Sequence, residues 1–131
     1  VAGGDVLHAM KSTDQGYHSF GEAYFSTINK GAKKGWKRHT EMTLNLVVPV
    51  GAVRFVLFDD RDGSPTFGYY NQFILARDDY SRLTVPPMVW MGFQGLYDEY
   101  SLLLNIANIL HEPAEVDQID MDKIDFDWSI I

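Results

Sequence analysis

Short apolar runs, each closed by turn-forming residues, are the feature that most constrains the fold of this chain. The run before Gly51 is apolar and rich in β-branched residues, the run after it is mainly apolar, and the dense turn segment 59–65 separates them from a third run. Strands that recur about every 8–12 residues, with turns between them, are typical of an all-β sandwich or barrel. The predicted strands are 43–50, 52–58, 67–75, 81–85, 89–93 and 100–109.

Segment 101–110 is the one run that also fits a helix. Its consecutive leucines suit a short helix, whereas its isoleucines and asparagines favour a strand. We expect a strand here, with the helix as the alternative.

The length and charge of the chain limit its class and its partners. Its 131 residues suit a single domain, which we place at 1–131. Eighteen acidic against eleven basic side chains give a formal net charge of −7. Such a surface repels phosphate backbones and anionic lipid headgroups, so we expect neither nucleic acid nor a membrane as a partner.

The chain has no cysteine, which excludes disulfides, thiolate metal sites and cysteine nucleophiles. No apolar run approaches the roughly 18 residues that a transmembrane helix needs. The first residues also lack the basic start and apolar core of a signal peptide. These features predict a cytoplasmic protein whose fold depends on its apolar core.

The last segment, 115–128, alternates acidic and apolar residues over most of its length. Two interpretations are a solvated face whose apolar side chains cover an edge of the fold, and an acidic calcium loop. The segment lacks the glycine turn and the ligand spacing of an EF-hand loop, which favours the solvated face. The residues expected to cover the edge are Val116, Ile119, Met121, Ile124, Phe126 and Trp128.

Common catalytic signatures are missing from the sequence. It contains no phosphate-binding Gly-x-x-x-x-Gly-Lys, no Gly-x-Ser-x-Gly elbow and no His-Glu-x-x-His pair. The four histidines, His8, His18, His39 and His111, lie more than four residues from one another, so no local zinc site is predicted.

Four segments in order resemble a known family. Segment 33–39 reads Lys-Lys-Gly-Trp-Lys-Arg-His, and segment 58–68 ends in Ser-Pro-Thr-Phe-Gly. Segment 85–93 reads Val-Pro-Pro-Met-Val-Trp-Met-Gly-Phe, and segment 124–128 reads Ile-Asp-Phe-Asp-Trp. Together they resemble the sugar-nucleotide cupins related to dTDP-4-dehydrorhamnose 3,5-epimerase, and the resemblance covers about residues 27–128.

This resemblance implies a single all-β domain with the double-stranded β-helix of the cupin jelly roll and a pocket inside the barrel. It implies a homodimer, with a nucleotide sugar as the small-molecule partner. The activity it implies is epimerisation or isomerisation of a dTDP-4-keto-6-deoxy sugar, in surface-polysaccharide or deoxysugar biosynthesis.

The positions at which cupins bind a metal differ here. The first histidine position falls on Lys37 and the second is retained as His39, while the acidic and third histidine positions fall on Leu44 and Met91. An ammonium beside one imidazole does not supply the several neutral or anionic donors that a divalent ion needs. We therefore expect neither a metal nor another cofactor.

The residues that the family uses as base and acid are also replaced. The resemblance places the base at Lys37 and the acid, a tyrosine in the family, at Asn105. Lys37 and His39 are two apart on a predicted strand and share a face, so both are candidate catalytic residues. Three roles remain open for Lys37: a desolvated base, a contact to a ligand phosphate, or no role.

Lys34, Trp90 and Asn105 are candidate substrate-binding residues. Lys34 belongs to the basic cluster 33–38, which suits an anionic ligand or is a solvated charge run. Trp90 either fills the core or forms a pocket wall that stacks on a base or a sugar ring.

Three hypotheses for function follow. The first is the epimerase or isomerase that the resemblance implies. The second is a catalytically silent cupin that binds a nucleotide sugar or supports a partner enzyme, and the missing base and acid favour it. The third is an unrelated barrel that binds a small molecule.

Overall fold

The computed structural model describes residues 2–129, and this part of the chain consists mainly of β-strands joined by turns and loops. Nine strands and two short 3-10 helices follow one another within it. The strands are β1 (Glu22–Ile28), β2 (Lys33–His39), β3 (Leu44–Val50), β4 (Ala52–Phe58), β5 (Tyr70–Ala76), β6 (Leu83–Val85), β7 (Trp90–Gly95), β8 (Ser101–Ala107) and β9 (Val116–Gln118). The 3-10 helices are Pro113–Glu115 and Met121–Lys123.

The strands form two antiparallel sheets that pack face to face. The first sheet has the order β1-β8-β3-β6, and the second has the order β5-β4-β7-β2-β9. Except for β4 and β5, paired strands of the described chain are not consecutive, as in a jelly roll. The all-β prediction is confirmed, and so is the strand interpretation of 101–110, which is β8. Strand β1 was not predicted.

The main core lies between the two sheets, because alternate side chains of each strand point inward. Phe55 of β4 is completely buried there, next to β7, where its ring lies 5.6 Å from that of Phe93. The buried members of this core are Ile28, Met42, Leu44, Leu46, Val48, Val53, Phe55, Leu75, Leu83, Val85, Val89, Met91, Leu103 and Ala107.

A β-bulge in β2 decides which of its side chains point inward. Lys34 pairs with Phe93 of β7, and Lys37 pairs with Met91, so three residue steps on β2 oppose two on β7. Strict alternation would turn Lys34 away from Lys37 and His39. Because the bulge adds one residue, all three side chains face the space between the sheets.

Gly35 forms this bulge and has no room for a side chain. Its φ is 141°, which L side chains rarely adopt, and a Cβ would come within 2.7 Å of the Cα of Gly92 on β7. The glycine therefore permits both the backbone conformation and the close approach of the two strands.

The segment after β9 packs on the outer face of the second sheet. Trp36 of β2 is completely buried under it, exchanges two backbone hydrogen bonds of 3.1 Å with Ile119, and donates from Nε1 to the carbonyl of Met121 at 3.2 Å. We call this group the outer cluster; it comprises Trp36, Val56, Phe58, Trp90, Ile119, Met121, Ile124, Phe126 and Trp128. The prediction for the tail is confirmed except for Val116, which lines the space between the sheets.

Asp59 organises the turn-rich loop between β4 and β5. Its carboxylate accepts hydrogen bonds from Arg61 at 2.9 Å, from the hydroxyl of Ser64 at 2.6 Å and from the hydroxyl of Thr66. The Arg61 guanidinium and the two hydroxyls lower the pKa of Asp59 far below its usual range, although burial raises it. This loop contributes no residue to the cavity described below, so its motif stabilises the fold.

Candidate functional site

A cavity of about 640 Å³ lies between the two sheets. Its wall on the second sheet comes from β2 and β7, which contribute Lys34, Lys37, His39, Met91 and Phe93. The prediction that Lys37 and His39 share one lining is confirmed. Met91 supplies an apolar surface at the position where the resemblance expects a histidine.

The opposite wall comes from the first sheet. Tyr24 and Ser26 of β1, Leu44 of β3 and Asn105 of β8 face the cavity there. His111, from the loop after β8, also lines the cavity. The site therefore has one wall that carries amines and an imidazole, and a second wall that carries hydroxyl and amide groups.

His39 forms a pair with a buried carboxylate. Its Nδ1 lies 2.5 Å from Oε1 of Glu115, which is only 3% exposed. The other oxygen of Glu115 accepts hydrogen bonds from the backbone N–H groups of Glu41 at 3.1 Å and Met42 at 3.2 Å. All of these partners are donors, so the site is built for a carboxylate.

Burial raises the pKa of Glu115, but the hydrogen bonds from His39, Glu41 and Met42 outweigh it, and the pKa is lowered overall. An ionised Glu115 can only accept, so Nδ1 of His39 is the donor of this pair, and in the neutral ring the lone pair lies on Nε2. No hydrogen bond links Nε2 to another residue within 2–129. An imidazole held in this way is suited to accept a proton.

The charge of the cavity is positive, in contrast to the negative charge of the whole chain. Its lining contains two lysines, Lys34 and Lys37, and no Asp or Glu among the described residues. Lys34 Nζ donates to the carbonyl of Thr27 at 3.2 Å, and the exposed Lys37 ammonium has no side-chain partner in the described chain. These amines suit an anionic ligand.

The basic cluster predicted from 33–38 does not act as one unit. Lys34 and Lys37 line the cavity, whereas Arg38 points to the outer face. There the Arg38 guanidinium contacts Asp117 at 2.8 Å and Asp60 at 3.4 Å. Arg38 therefore joins β2 to β9 and to the loop after β4.

The interpretation of Trp90 as a pocket wall is wrong, and its interpretation as a core residue is confirmed. Alternation on β7 turns Met91 into the cavity and Trp90 to the outer face. Trp90 is 6% exposed, its Nε1 donates to Asp60 at 2.9 Å, and the guanidinium of Arg38 lies 4.5 Å from its ring. Of the predicted site residues, only Trp90 lies outside the cavity.

Sequence reasoning missed Glu115, Tyr24 and His111. Glu115 lies 76 residues from His39, within an acidic segment that gave no reason to single it out. Tyr24 lies on the strand that was not predicted. His111 could have been found, because it follows β8 closely in the sequence. The resemblance places Asn105, on the same strand, at the cavity.

Residues 2–129 lack two features, a metal-binding cluster and a membrane-spanning helix. No group of three or more His, Asp or Glu side chains is placed so that it could hold a metal ion. No helix has the length and apolar character that crossing a membrane would require.

Two antiparallel sheets in jelly-roll order, with a cavity between them, define this protein as a cupin-type barrel. The profile of the dTDP-4-dehydrorhamnose 3,5-epimerase family matches residues 8–131, and the chain belongs to that family. The resemblance seen in the sequence is thereby confirmed, and the hypothesis of an unrelated barrel is wrong.

Several known proteins are similar to this chain. The probable low-salt glycan biosynthesis epimerase Agl13 of Haloferax volcanii is 31% identical over 112 residues, which are 82% of this chain and 72% of that protein. The spore coat polysaccharide biosynthesis protein SpsL of Bacillus subtilis is 25% identical over 84% of this chain and 76% of its own. The crystal structure of a dTDP sugar isomerase from Desulfovibrio desulfuricans superposes with a TM-score of 0.93 at 39% identity, covering all of this chain and 85% of the other.

Proposed function

We propose that this protein epimerises a dTDP-4-keto-6-deoxy sugar in the synthesis of a surface polysaccharide or a deoxysugar. The observation that carries the proposal is the pair of His39 and Glu115 at a cavity lined by two lysines. Family membership and the names of its relatives in glycan and polysaccharide biosynthesis support the same substrate class.

His39 is the base in this proposal. Its Nε2 removes the proton from a carbon next to the sugar ketone, and the electrons of that C–H bond move to the ketone oxygen to give an enolate. The imidazolium that forms is stabilised by the carboxylate of Glu115. Return of a proton to the other side of the planar carbon gives the epimer, with no net change in protons.

Lys37 contacts the negative charge of the ligand in this proposal. The side chain is exposed to the cavity and shares a face with His39, so its ammonium can stabilise the enolate oxygen. Lys34 lies one bulged step further along β2 and binds a phosphate of the nucleotide. Asn105, on the opposite wall, hydrogen-bonds the sugar.

A second candidate function is a catalytically silent cupin that binds a nucleotide sugar. Lys37 and Asn105 favour it, because they occupy the positions at which the resemblance places the base and acid of the family. The two candidates share the ligand and differ in whether protons leave the carbons next to the ketone.

Proton exchange separates the two. The protein is incubated in D₂O with a panel of dTDP-4-keto-6-deoxy sugars, and NMR follows deuterium at the carbons next to the ketone and the appearance of epimers. The epimerase exchanges these protons and His39→Gln abolishes the exchange, while His18→Gln, at an exposed histidine outside the cavity, leaves it unchanged. A protein that dTDP stabilises by about 2–4 kcal/mol at saturation, without any exchange, is the silent cupin.

We also propose that the protein acts in the cytoplasm, where activated sugars are made, and that it forms a homodimer. Strand β1 supports the second point, because it forms an edge of the first sheet and exposes Phe25 to 64%. Sedimentation equilibrium measures the oligomeric state directly.

A further inference from the structure

Tyr24 and Asn105 are direct partners across two neighbouring strands. They pair in register between β1 and β8, and both line the cavity. Side chains of directly opposed residues in an antiparallel pair have Cβ atoms about 4.5–5.5 Å apart. The phenol of Tyr24 therefore occupies the part of the cavity next to Asn105, the position where the resemblance expects a tyrosine.

Tyr24 stands on the wall that faces His39. Tyr24 belongs to the first sheet and His39 to the second, and the cavity lies between these sheets. A sugar bound in the cavity thus has the base on one side and the phenol on the other. Inversion at a carbon of a sugar held in one orientation needs this arrangement, because the proton must leave from one side and return from the opposite side.

No other tyrosine of the described chain lines the cavity. The remaining hydroxyl of this wall, that of Ser26, is a far weaker acid than a phenol. Burial, and to a lesser extent the nearby carboxylate of Glu22, raise the pKa of Tyr24. The phenol is therefore protonated at neutral pH and available as a donor.

We propose that Tyr24 is the catalytic acid that returns a proton to the enolate carbon. This inference rests on the proposed function and names the residue that replaces the absent tyrosine at Asn105. The O–H bond of Tyr24 breaks, a C–H bond forms on the side opposite His39, and the enolate collapses to the ketone. The phenolate then takes a proton from solvent, and the imidazolium of His39 releases one, so the protein returns to its starting state.

The test uses Tyr24→Phe, which removes only the hydroxyl, with Tyr100→Phe as the matched control at an exposed tyrosine outside the cavity. With a sugar that the wild type epimerises in D₂O, Tyr24→Phe lowers epimer formation about 100-fold or more. It keeps the exchange of deuterium into the unepimerised sugar, because His39 still removes and returns the proton on its own side. Thermal melting and dTDP binding check that the variant is folded.

Rescue from the neighbouring strand provides a second measurement. In the double variant Tyr24→Phe, Asn105→Tyr, a phenol returns to the same region from β8, and epimer formation recovers. The single variant Asn105→Tyr, which keeps Tyr24, measures what loss of the Asn105 contact to the sugar costs. If that variant still forms the epimer and the folded double variant does not, the assignment is contradicted.

Two other results would overturn it. If the Tyr24→Phe protein epimerises the sugar as fast as the wild type, Tyr24 is not the acid. If the variant loses deuterium exchange as well as epimerisation, Tyr24 is a binding residue instead. A wild type that exchanges no proton in any sugar of the panel defeats the proposed function itself, which is a distinguishable failure.

Discussion

His39 Nδ1 and Glu115 Oε1 lie 2.5 Å apart although 76 residues separate them in the sequence. The pairing of β2 with β9 creates this contact, because His39 pairs with Val116, the residue directly after Glu115. The base of the proposed reaction and its carboxylate are thus positioned by one edge of the second sheet.

Replacement of Glu115 by glutamine is expected to impair both chemistry and folding. The amide cannot stabilise an imidazolium as a carboxylate does, so proton exchange falls by about 100-fold. The glutamine also replaces one carboxylate oxygen by an NH₂ group, although all the neighbouring groups are hydrogen-bond donors. This mismatch lowers the free energy of unfolding by about 1–3 kcal/mol. Deuterium exchange and urea unfolding measure the two effects.

Glu41→Gln is the matched control for this prediction, because its side chain is exposed in the neighbouring loop. A Glu115→Gln protein that exchanges protons at the wild-type rate would show that His39 works without its carboxylate.

The two lysines of the cavity are expected to have separate effects, Lys34 on ligand binding and Lys37 on the reaction. Lys34→Ala weakens dTDP-sugar binding about 10-fold, since a charge-assisted hydrogen bond contributes about 1.5–3 kcal/mol. Lys37→Ala changes the affinity less and slows proton exchange instead, because the enolate charge that Lys37 stabilises develops only during the reaction. Lys33→Ala changes the affinity little, because Lys33 is exposed and does not line the cavity. Isothermal titration calorimetry at low and high salt compares the three variants, and equal losses in all three would contradict the site.

Asp59 is expected to make the free energy of unfolding depend on pH in the acid range. Its pKa in the folded protein lies below the ordinary value of 3.8, so the unfolded chain takes up the proton first as the pH falls. The contribution of Asp59 to the free energy of unfolding is therefore complete when the pH is above 3.8, and it is lost as the pH falls from there towards the pKa of the folded state. Asp59→Asn therefore lowers the free energy of unfolding at pH 7 and flattens its fall in acid.

Urea unfolding tests this prediction between about pH 2 and pH 7, because carboxylates titrate within this range. The control is Asp62→Asn, an exposed carboxylate in the same loop. If Asp59→Asn and the wild type lose stability in parallel as the pH falls, Asp59 is not the source of the dependence.

An alanine at Gly35 is expected to disrupt the site through the backbone. The Cβ would collide with Gly92 at a φ that disfavours any side chain, which costs about 3 kcal/mol or more. Gly31→Ala, with φ of 77° and open space around it, carries only the conformational cost of about 1–2 kcal/mol. Thermal melting ranks the two variants, and an equal loss would show that the close approach of the strands contributes nothing.

Much of the fold was predictable because alternation and turn chemistry act locally. The runs on either side of Gly51 are β3 and β4, and the tail residues from Ile119 to Trp128 cover the sheet as their spacing indicates. Strand β1 was not predictable in this way, since it is an edge strand with four exposed residues and carries little apolar alternation.

The candidate site was predictable only along one strand. The spacing of Lys37 and His39 placed them together, but the partners of that strand come from distant parts of the chain. Glu115 reaches His39 through strand pairing, and Tyr24 reaches the cavity through its register with Asn105. The bulge that turns Lys34 inward depends on contact with β7, which no local pattern shows.

With the outer cluster, the protein has three layers: the first sheet, the second sheet and the tail. The tail packs on the second sheet and so stabilises the strands that carry Lys37 and His39. Trp36 and Lys37 are adjacent in β2, one beneath the tail and the other in the cavity. Glu115 directly precedes β9, so a tail that detached would withdraw the carboxylate from the imidazole. Substitutions in the outer cluster, which lies outside the cavity, are thus expected to affect the reacting groups.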